Sequence, residues 1–217
     1  GYEGINYFQI PEFLEPFGKL ELPVISKRVL YYKAPTLELP KNFEVIGKGT
    51  DFLSDKAVAY MSGRGFDMDY LVSKNIGYCK YGQLGGYLCF PFYSDTNELE
   101  FYVLRDFIGG LNRVKYKNLK AGTCKKSAGQ VIYNSSRLNR FGDVYITEGI
   151  IDSLTIGDNS IATIGKEVTS AQLSILSQSS ATRFIVMGDP KAYSHNLQNF
   201  SKLGLLKPTF IVDFTPL

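Results

Sequence analysis

A chain of 217 residues, 44% apolar and 21% charged, suits one domain or two small ones built on an ordinary globular core. It has no run of about eighteen apolar residues to span a bilayer and no signal-peptide pattern, so a membrane partner is not expected. Three cysteines without CxxC spacing and one histidine argue against a disulfide framework and structural zinc, and fit a reducing cytoplasm.

The first residue is Gly rather than Met, which reads as a piece trimmed from a longer chain. Net charge is only +3, but its distribution is uneven. Between residues 105 and 140 stand Arg105, Arg113, Lys115, Lys117, Lys120, Lys125, Lys126, Arg137 and Arg140, with Asp106 the one carboxylate among them. So one-sided a stretch is an electrostatic footprint for a polyanion.

In chain order, residues 1–50 are rich in Pro and aromatics and read as an N-terminal extension or linker. Gly47-Lys48-Gly49-Thr50 brushes the phosphate-loop pattern but fails it. Asn42 stands where the first Gly is required, and Gly49 where Ser or Thr would hold magnesium. A helix is predicted over Asp55–Met61, stopped by Gly63-Arg64-Gly65, and a second over Met68–Lys74 capped by Asp67. Gly86–Ser94 and Leu99–Phe107 read as an antiparallel hairpin, with Pro91 favouring an edge position. Cys89 in that run reads as a small buried hydrophobe. The basic stretch then continues as irregular chain to a short strand at Gln130–Tyr133. Tyr78, Tyr81 and Tyr87 could stack bases but read first as buried packing.

From Val144 the pattern alternates. The predicted elements are strand Val144–Thr147, helix Ile150–Ile156 and strand Ser160–Ile164, then a helix opened by the capping box Thr169-Ser-Ala-Gln172 and running to about Gln178. Strand Arg183–Met187, a helix over His195–Leu203 and strand Thr209–Val212 complete a small α/β unit with a parallel sheet. Sites in such units belong at the carboxyl ends of strands. Glu148 stands at one tip, Asp152 one turn into the next helix and Asp189 beyond another tip, within reach of one hard divalent cation. His195 reads as a surface or helix-start residue rather than a catalyst.

The order of these features resembles the catalytic core of DnaG-type DNA primases, particularly the T4-like phage primases, over about Ala57 to Val212. The resemblance rests on Ala59-Tyr-Met-Ser-Gly-Arg-Gly65, Leu88-Cys-Phe-Pro-Phe92, Arg105, Lys115-Tyr-Lys-Asn118 and Val131-Ile-Tyr133. It rests further on Glu148-Gly-x-x-Asp152, which is similar to the first signature of the TOPRIM fold, and on Ala162-Thr-Ile-Gly165. It implies an α/β chain in which a basic mixed α/β subdomain at 51–140 precedes a TOPRIM domain at 141–217. It also implies DNA-templated synthesis of short RNA primers from ribonucleoside triphosphates on single-stranded DNA. Mg²⁺ or Mn²⁺ would be held by Glu148, Asp189 and Asp152, with Arg64, Arg105, Lys115, Lys117 and Lys126 contacting nucleic acid or nucleotide. A replicative helicase would partner the full-length protein, in a cytoplasm that is the host's if the source is a phage. Family members carry a zinc ribbon and a helicase-interaction region, which would lie outside these residues. Gly1–Pro23 resembles the tail that follows the ribbon.

One departure is plain. The family ends its third strand with two acids one residue apart, whereas this chain reads Val186-Met-Gly-Asp-Pro-Lys191, so Met187 or Lys191 replaces one of them. Neither a thioether nor an ammonium serves a hard cation. Asp152 or Asp213 could complete the set. The alternatives are a degenerate TOPRIM nucleic-acid-binding module with little or no polymerase activity, or a TOPRIM nuclease.

Overall fold

The computed structural model describes residues 36–110, 113–119, 126–188 and 193–212, all within the compact unit Ala34–Leu217. Two sheets organise them. The first is antiparallel, with strands in sequence order: β1 (Phe43–Val45), β2 (Gly77–Cys79), β3 (Tyr87–Tyr93), β4 (Leu99–Asp106) and β5 (Tyr116–Asn118). The second is parallel, in the order β7 (Ser160–Ala162), β6 (Asp143–Thr147), β8 (Arg183–Met187), β9 (Thr209–Ile211). A mixed α/β chain with a small parallel sheet is thus present. None of its helices is long and apolar enough to cross a membrane among the described residues.

Between β1 and β2 run α1 (Phe52–Ser62) and α2 (Met68–Ser73). Helix α1 begins three residues before its predicted start because Asp51 caps it, accepting from the Leu53 and Ser54 amides at 2.9 and 3.1 Å. The Gly47–Thr50 segment is the turn leading into that cap. Asp67 caps α2 as predicted.

The hairpin is present, but β3 lies at the centre of its sheet, not at an edge. Pro91 is tolerated because β2 pairs only with Leu88 and Cys89, leaving the stretch around Pro91 bonded on the β4 side alone. The predicted strand Gln130–Tyr133 is instead a 3₁₀ turn at Ala128–Gln130 followed by extended chain, held by one bridge between Tyr133 and Ala162.

Alternation sorts the first sheet's side chains. Phe90, Phe92, Phe101 and Val103 point to one face, where they pack with Ala57 and Met61 of α1 and Leu71 of α2. Tyr87, Cys89 and Leu104 point to the other. Cys79 and Cys89 are free and buried, and burial pushes the Cys79 thiol up to about 12 and Cys89 also well above its ordinary value.

In the second sheet, Ile146, Ile161, Phe184 and Val186 face α4 (Ser170–Ser177) and α5 (Tyr193–Gly204), which contribute Leu176 and Leu203. Helix α3 (Ile150–Ile156) matches its predicted span and covers the opposite face. There Ser153 and Ser160 hydroxyls meet at 2.6 Å, small side chains that let helix and strand approach closely. Ile150 and Leu154 of α3 belong to the same buried cluster as Phe90 and Phe101, so α3 packs against both sheets.

Candidate nucleic-acid and metal site

The wedge position of α3 sets the site. Strand β6 ends at Thr147, whose hydroxyl donates to the carbonyls of Gly149 and Ile161, both at 3.0 Å, fixing the turn that carries Glu148. Gly149 has ordinary extended backbone, so its need for no side chain is spatial: a Cβ there would come within 2.6 Å of Asp152 Oδ2. The Asp152 carboxylate thus folds back over the start of its own helix, beside Glu148.

Across from this turn lies β5, and between them is a cavity of about 370 Å³. Its walls include Glu148 and Asp152 from the parallel sheet's side, Lys115, Tyr116 and Asn118 from the antiparallel sheet, and Ile164. Ile164 has φ +52, a left-handed conformation that β-branched residues rarely adopt. It is the third residue of the Ala162-Thr-Ile-Gly165 segment, and such strain costs roughly 1–3 kcal/mol and gathers at functional sites.

Arg105 is 8% exposed and points from β4 toward α1. Its Nε donates to the Tyr60 hydroxyl at 2.8 Å and its Nη1 to the Tyr116 hydroxyl. Arg64 Nη2 donates to the same Tyr60 oxygen at 3.1 Å and its guanidinium lies 4.6 Å from the Tyr60 ring centre. Two guanidiniums therefore share one phenol, and among the described residues neither forms an ion pair with a carboxylate. Like charges held together beside a cavity, satisfied by hydroxyls and ring faces, are suited to an incoming phosphate.

Not every expected contact residue joins this group. Lys117 pairs in register with Leu104, so it projects to the sheet face opposite Arg105, and its ammonium lies 4.4 Å from the buried Tyr87 ring centre. Lys126 forms an ion pair with Glu100 at 2.5 Å and lines a different cavity. Tyr78 and Tyr87, at 0 and 1% exposure, are packed rather than available to bases, while Tyr81 is 66% exposed. Asp189, Lys191, Asp213, Lys120 and Lys125 lie outside the described residues.

Strand β8 sits beside β6, with Met187 level with Thr147. The next residue, Gly188, allows close approach of the Asn196 carboxamide from α5, which a Cβ would overlap. At the level of Glu148, then, the neighbouring strand offers Gly188 and no carboxylate. Among the described residues no cluster of three metal-type ligands is formed. The two carboxylates that do face the cavity are hard oxygen donors of the kind Mg²⁺ and Mn²⁺ take. His195 lies in the first turn of α5, 3.5 Å from a Glu167 oxygen and away from the cavity lining.

Sequence reasoning missed Tyr60. No local signal marks it, because Arg64 lies past the end of α1 and Arg105 on a different element.

No family model and no curated protein sequence matches the chain. Solved structures do. The Aquifex aeolicus primase, covering zinc-binding and RNA polymerase domains, superposes with a TM-score of 0.63 at 14% identity over 75% of this chain and 50% of that one. A DnaG primase catalytic domain bound to single-stranded DNA gives 0.58 at 14% identity over 70% and 62%. The primase fragment of the bacteriophage T7 primase-helicase gives 0.56 at 14% identity over 83% and 74%. The chain spans about half the length of the Aquifex protein. At such identities the likeness is one of architecture, and in architecture the chain has the fold of a DnaG-type primase catalytic core.

Proposed function

We propose that this chain is the catalytic core of a DNA primase, joining ribonucleotides on a single-stranded DNA template. The observation that carries the reading is the single cavity in which Glu148 and Asp152 face Lys115, Tyr116 and Asn118 across two sheets. In this reading Glu148, Asp152 and Asp189 hold Mg²⁺ or Mn²⁺, which supplies charge neutralisation at the transferring phosphate. The chain's own part is positioning. Lys115, Arg105 and Arg64 receive phosphates of template or nucleotide, and the Tyr60 and Tyr116 hydroxyls hold the Arg105 guanidinium in a fixed orientation. Ribonucleoside triphosphates and, for the full-length protein, a replicative helicase are the further partners of this reading.

A second reading has its own support. Met187 and Gly188 beside Glu148 leave one acid fewer than the family pattern, which favours a module that binds nucleic acid with little or no polymerisation. One assay separates them: single-stranded template, labelled ribonucleotides and Mn²⁺ or Mg²⁺, with products resolved as primers, cut template or retarded DNA only. Under the primase reading Glu148→Gln loses synthesis by about 100-fold or more while DNA binding is kept. Lys115→Ala weakens binding and lowers the salt slope by about 1. Equal synthesis by wild type and Glu148→Gln would remove the assignment. Retarded DNA without primers from the wild type would select the second reading.

A further inference from the structure

The tail of the basic stretch lies apart from the cleft. Arg137 and Arg140 sit on a 3₁₀ segment, Ser135–Arg140, and line a cavity of about 470 Å³ together with Lys74, the residue that follows α2. Lys74 and Arg137 are both held by Asp158, which comes just before β7, whereas Glu148 and Ile164 of the cleft come just after the ends of β6 and β7. The two cavities are therefore at opposite ends of the parallel sheet, and they share no lining residue.

Asp158 accepts Lys74 Nζ at 2.5 Å and Arg137 Nη1 at 3.2 Å but is not itself part of the lining. It orients the two cations from behind and leaves them on the cavity wall. The Lys74 side chain is only 9% exposed, a burial that an ammonium tolerates because it is paired. Partial burial acts to raise the Asp158 pKa, but the Lys74 hydrogen bond and the charges of Lys74, Arg137 and Arg140 outweigh it and hold that carboxyl below its ordinary value. Arg140, exposed, forms no ion pair with a carboxylate among the described residues, so positive charge is in excess. Asn134 donates to the carbonyls of Asp158 and Ser160 at 3.1 and 2.8 Å, which pins the segment that carries both arginines.

The rest of the lining has another character. Tyr93 ends β3, and Asp95 and Asn97 come from the turn into β4. Asp95 is the one carboxylate among the lining residues. The Asn75 amide donates to the Tyr93 hydroxyl, which ties this hairpin to the end of α2. At about 470 Å³ the cavity falls within the roughly 300–1,000 Å³ of small-molecule sites, and an inorganic phosphate alone would leave most of it empty.

We propose that this cavity is a second small-molecule site that takes a free nucleoside polyphosphate, its phosphates against Lys74, Arg137 and Arg140 and its ribose toward Asp95. Arginine supplies the planar fork that phosphate oxygens match. A carboxylate accepts from ribose hydroxyls and repels phosphate, so Asp95 and the cations together give the ligand one direction. The site uses no residue of the cleft and does not depend on whether the cleft polymerises.

The test uses the intact chain and an ATP analogue fluorescent in its base, with anisotropy read in EDTA so that no divalent metal assists binding in the cleft. Wild type, Glu148→Gln and Lys115→Ala are expected to bind alike. Arg137→Ala/Arg140→Ala should weaken binding about tenfold or more, and Arg140→Glu, a change at an exposed position, should weaken it in the same direction. Circular dichroism checks that each variant is folded. Asp95→Ala should weaken displacement by ADP about threefold or more and leave displacement by pyrophosphate unchanged. Absence of binding by wild type in EDTA, or equal binding by wild type and both arginine variants, would overturn the site. Loss in Lys115→Ala would place the bound nucleotide in the cleft and overturn it equally. Pyrophosphate displacing the probe as well as ADP does would overturn the nucleotide assignment. Absence of primer synthesis bears on the cleft alone, because binding is the readout here.

Discussion

Tyr60 is the residue on which the basic side of the cleft depends. Its hydroxyl accepts from Arg105 and Arg64, and its ring lies under the Arg64 guanidinium with Phe107 at 6.2 Å on its flank. Tyr60→Phe keeps the ring and its packing but removes the shared acceptor, which frees both guanidiniums to rotate. The expected result is a rise in the nucleotide or template KM of about three- to tenfold with kcat nearly unchanged, since a net hydrogen bond to a charged group is worth roughly 1.5–3 kcal/mol and part is regained from water. Steady-state primer synthesis, or template binding alone if synthesis is weak, measures it. A residue of merely structural importance would instead lower the melting temperature and leave KM alone. Arg64, Arg105 and Lys115 were named by the resemblance, and of these only Arg105 and Lys115 belong to the charge cluster that the sequence displays. Tyr60 was not legible there, since a tyrosine on a helix says nothing about which cations will reach it.

Among the elements, the turn from β6 into α3 shows how far local pattern reaches. Glu148-Gly-x-x-Asp152, the helix Ile150–Ile156 and the strand Arg183–Met187 match between sequence and structure because apolar alternation, a Gly break and helical spacing are local signals. The capping box predicted at Thr169 is formed, with the Gln172 amide donating to the Thr169 hydroxyl at 3.2 Å. Strands β1, β2 and β5 went unread. Each has three residues, too few to display alternation; β2 and β5 form on the longer β3 and β4, and β1 in turn on β2. At this scale Gly149→Ala is the discriminating change. Its methyl would press on Asp152 Oδ2, so the carboxylate must swing away or α3 must shift. Stability is expected to change by about 1 kcal/mol or less, because the backbone there is ordinary for any residue, while primer synthesis falls about tenfold or more. Chemical denaturation alongside the synthesis assay would separate the two effects, and loss of both in proportion would count against a positional role for Asp152.

At the scale of the molecule, one buried cluster among the described residues reaches from the antiparallel sheet to the parallel one. Phe92 packs edge-on against Phe101 at 5.6 Å and Tyr133 at 5.2 Å, and Tyr133 bridges to Ala162 of the parallel sheet. With Ile150 and Leu154 of α3 in the same cluster, the antiparallel and parallel halves are expected to unfold together. Phe92→Ala should cost about 3–5 kcal/mol. Its urea transition should stay coincident when followed by far-ultraviolet circular dichroism and by tyrosine fluorescence. Two separated transitions in the wild type would show instead that the halves are independent domains, and the cleft between them a looser arrangement.

The sequence by itself determined the α/β alternation, the helix caps, the strand-tip acid Glu148 and the cationic character of residues 105–140, all properties of neighbours in the chain. Tertiary structure decided how that charge was divided. Register sent Lys117 to the far face of its sheet, an ion pair drew Lys126 to Glu100, and α2 delivered Lys74 to Arg137 and Arg140 at the opposite end of the parallel sheet. Charge is read residue by residue, but the field a ligand meets depends on which side chains the packing of distant segments turns toward the same space.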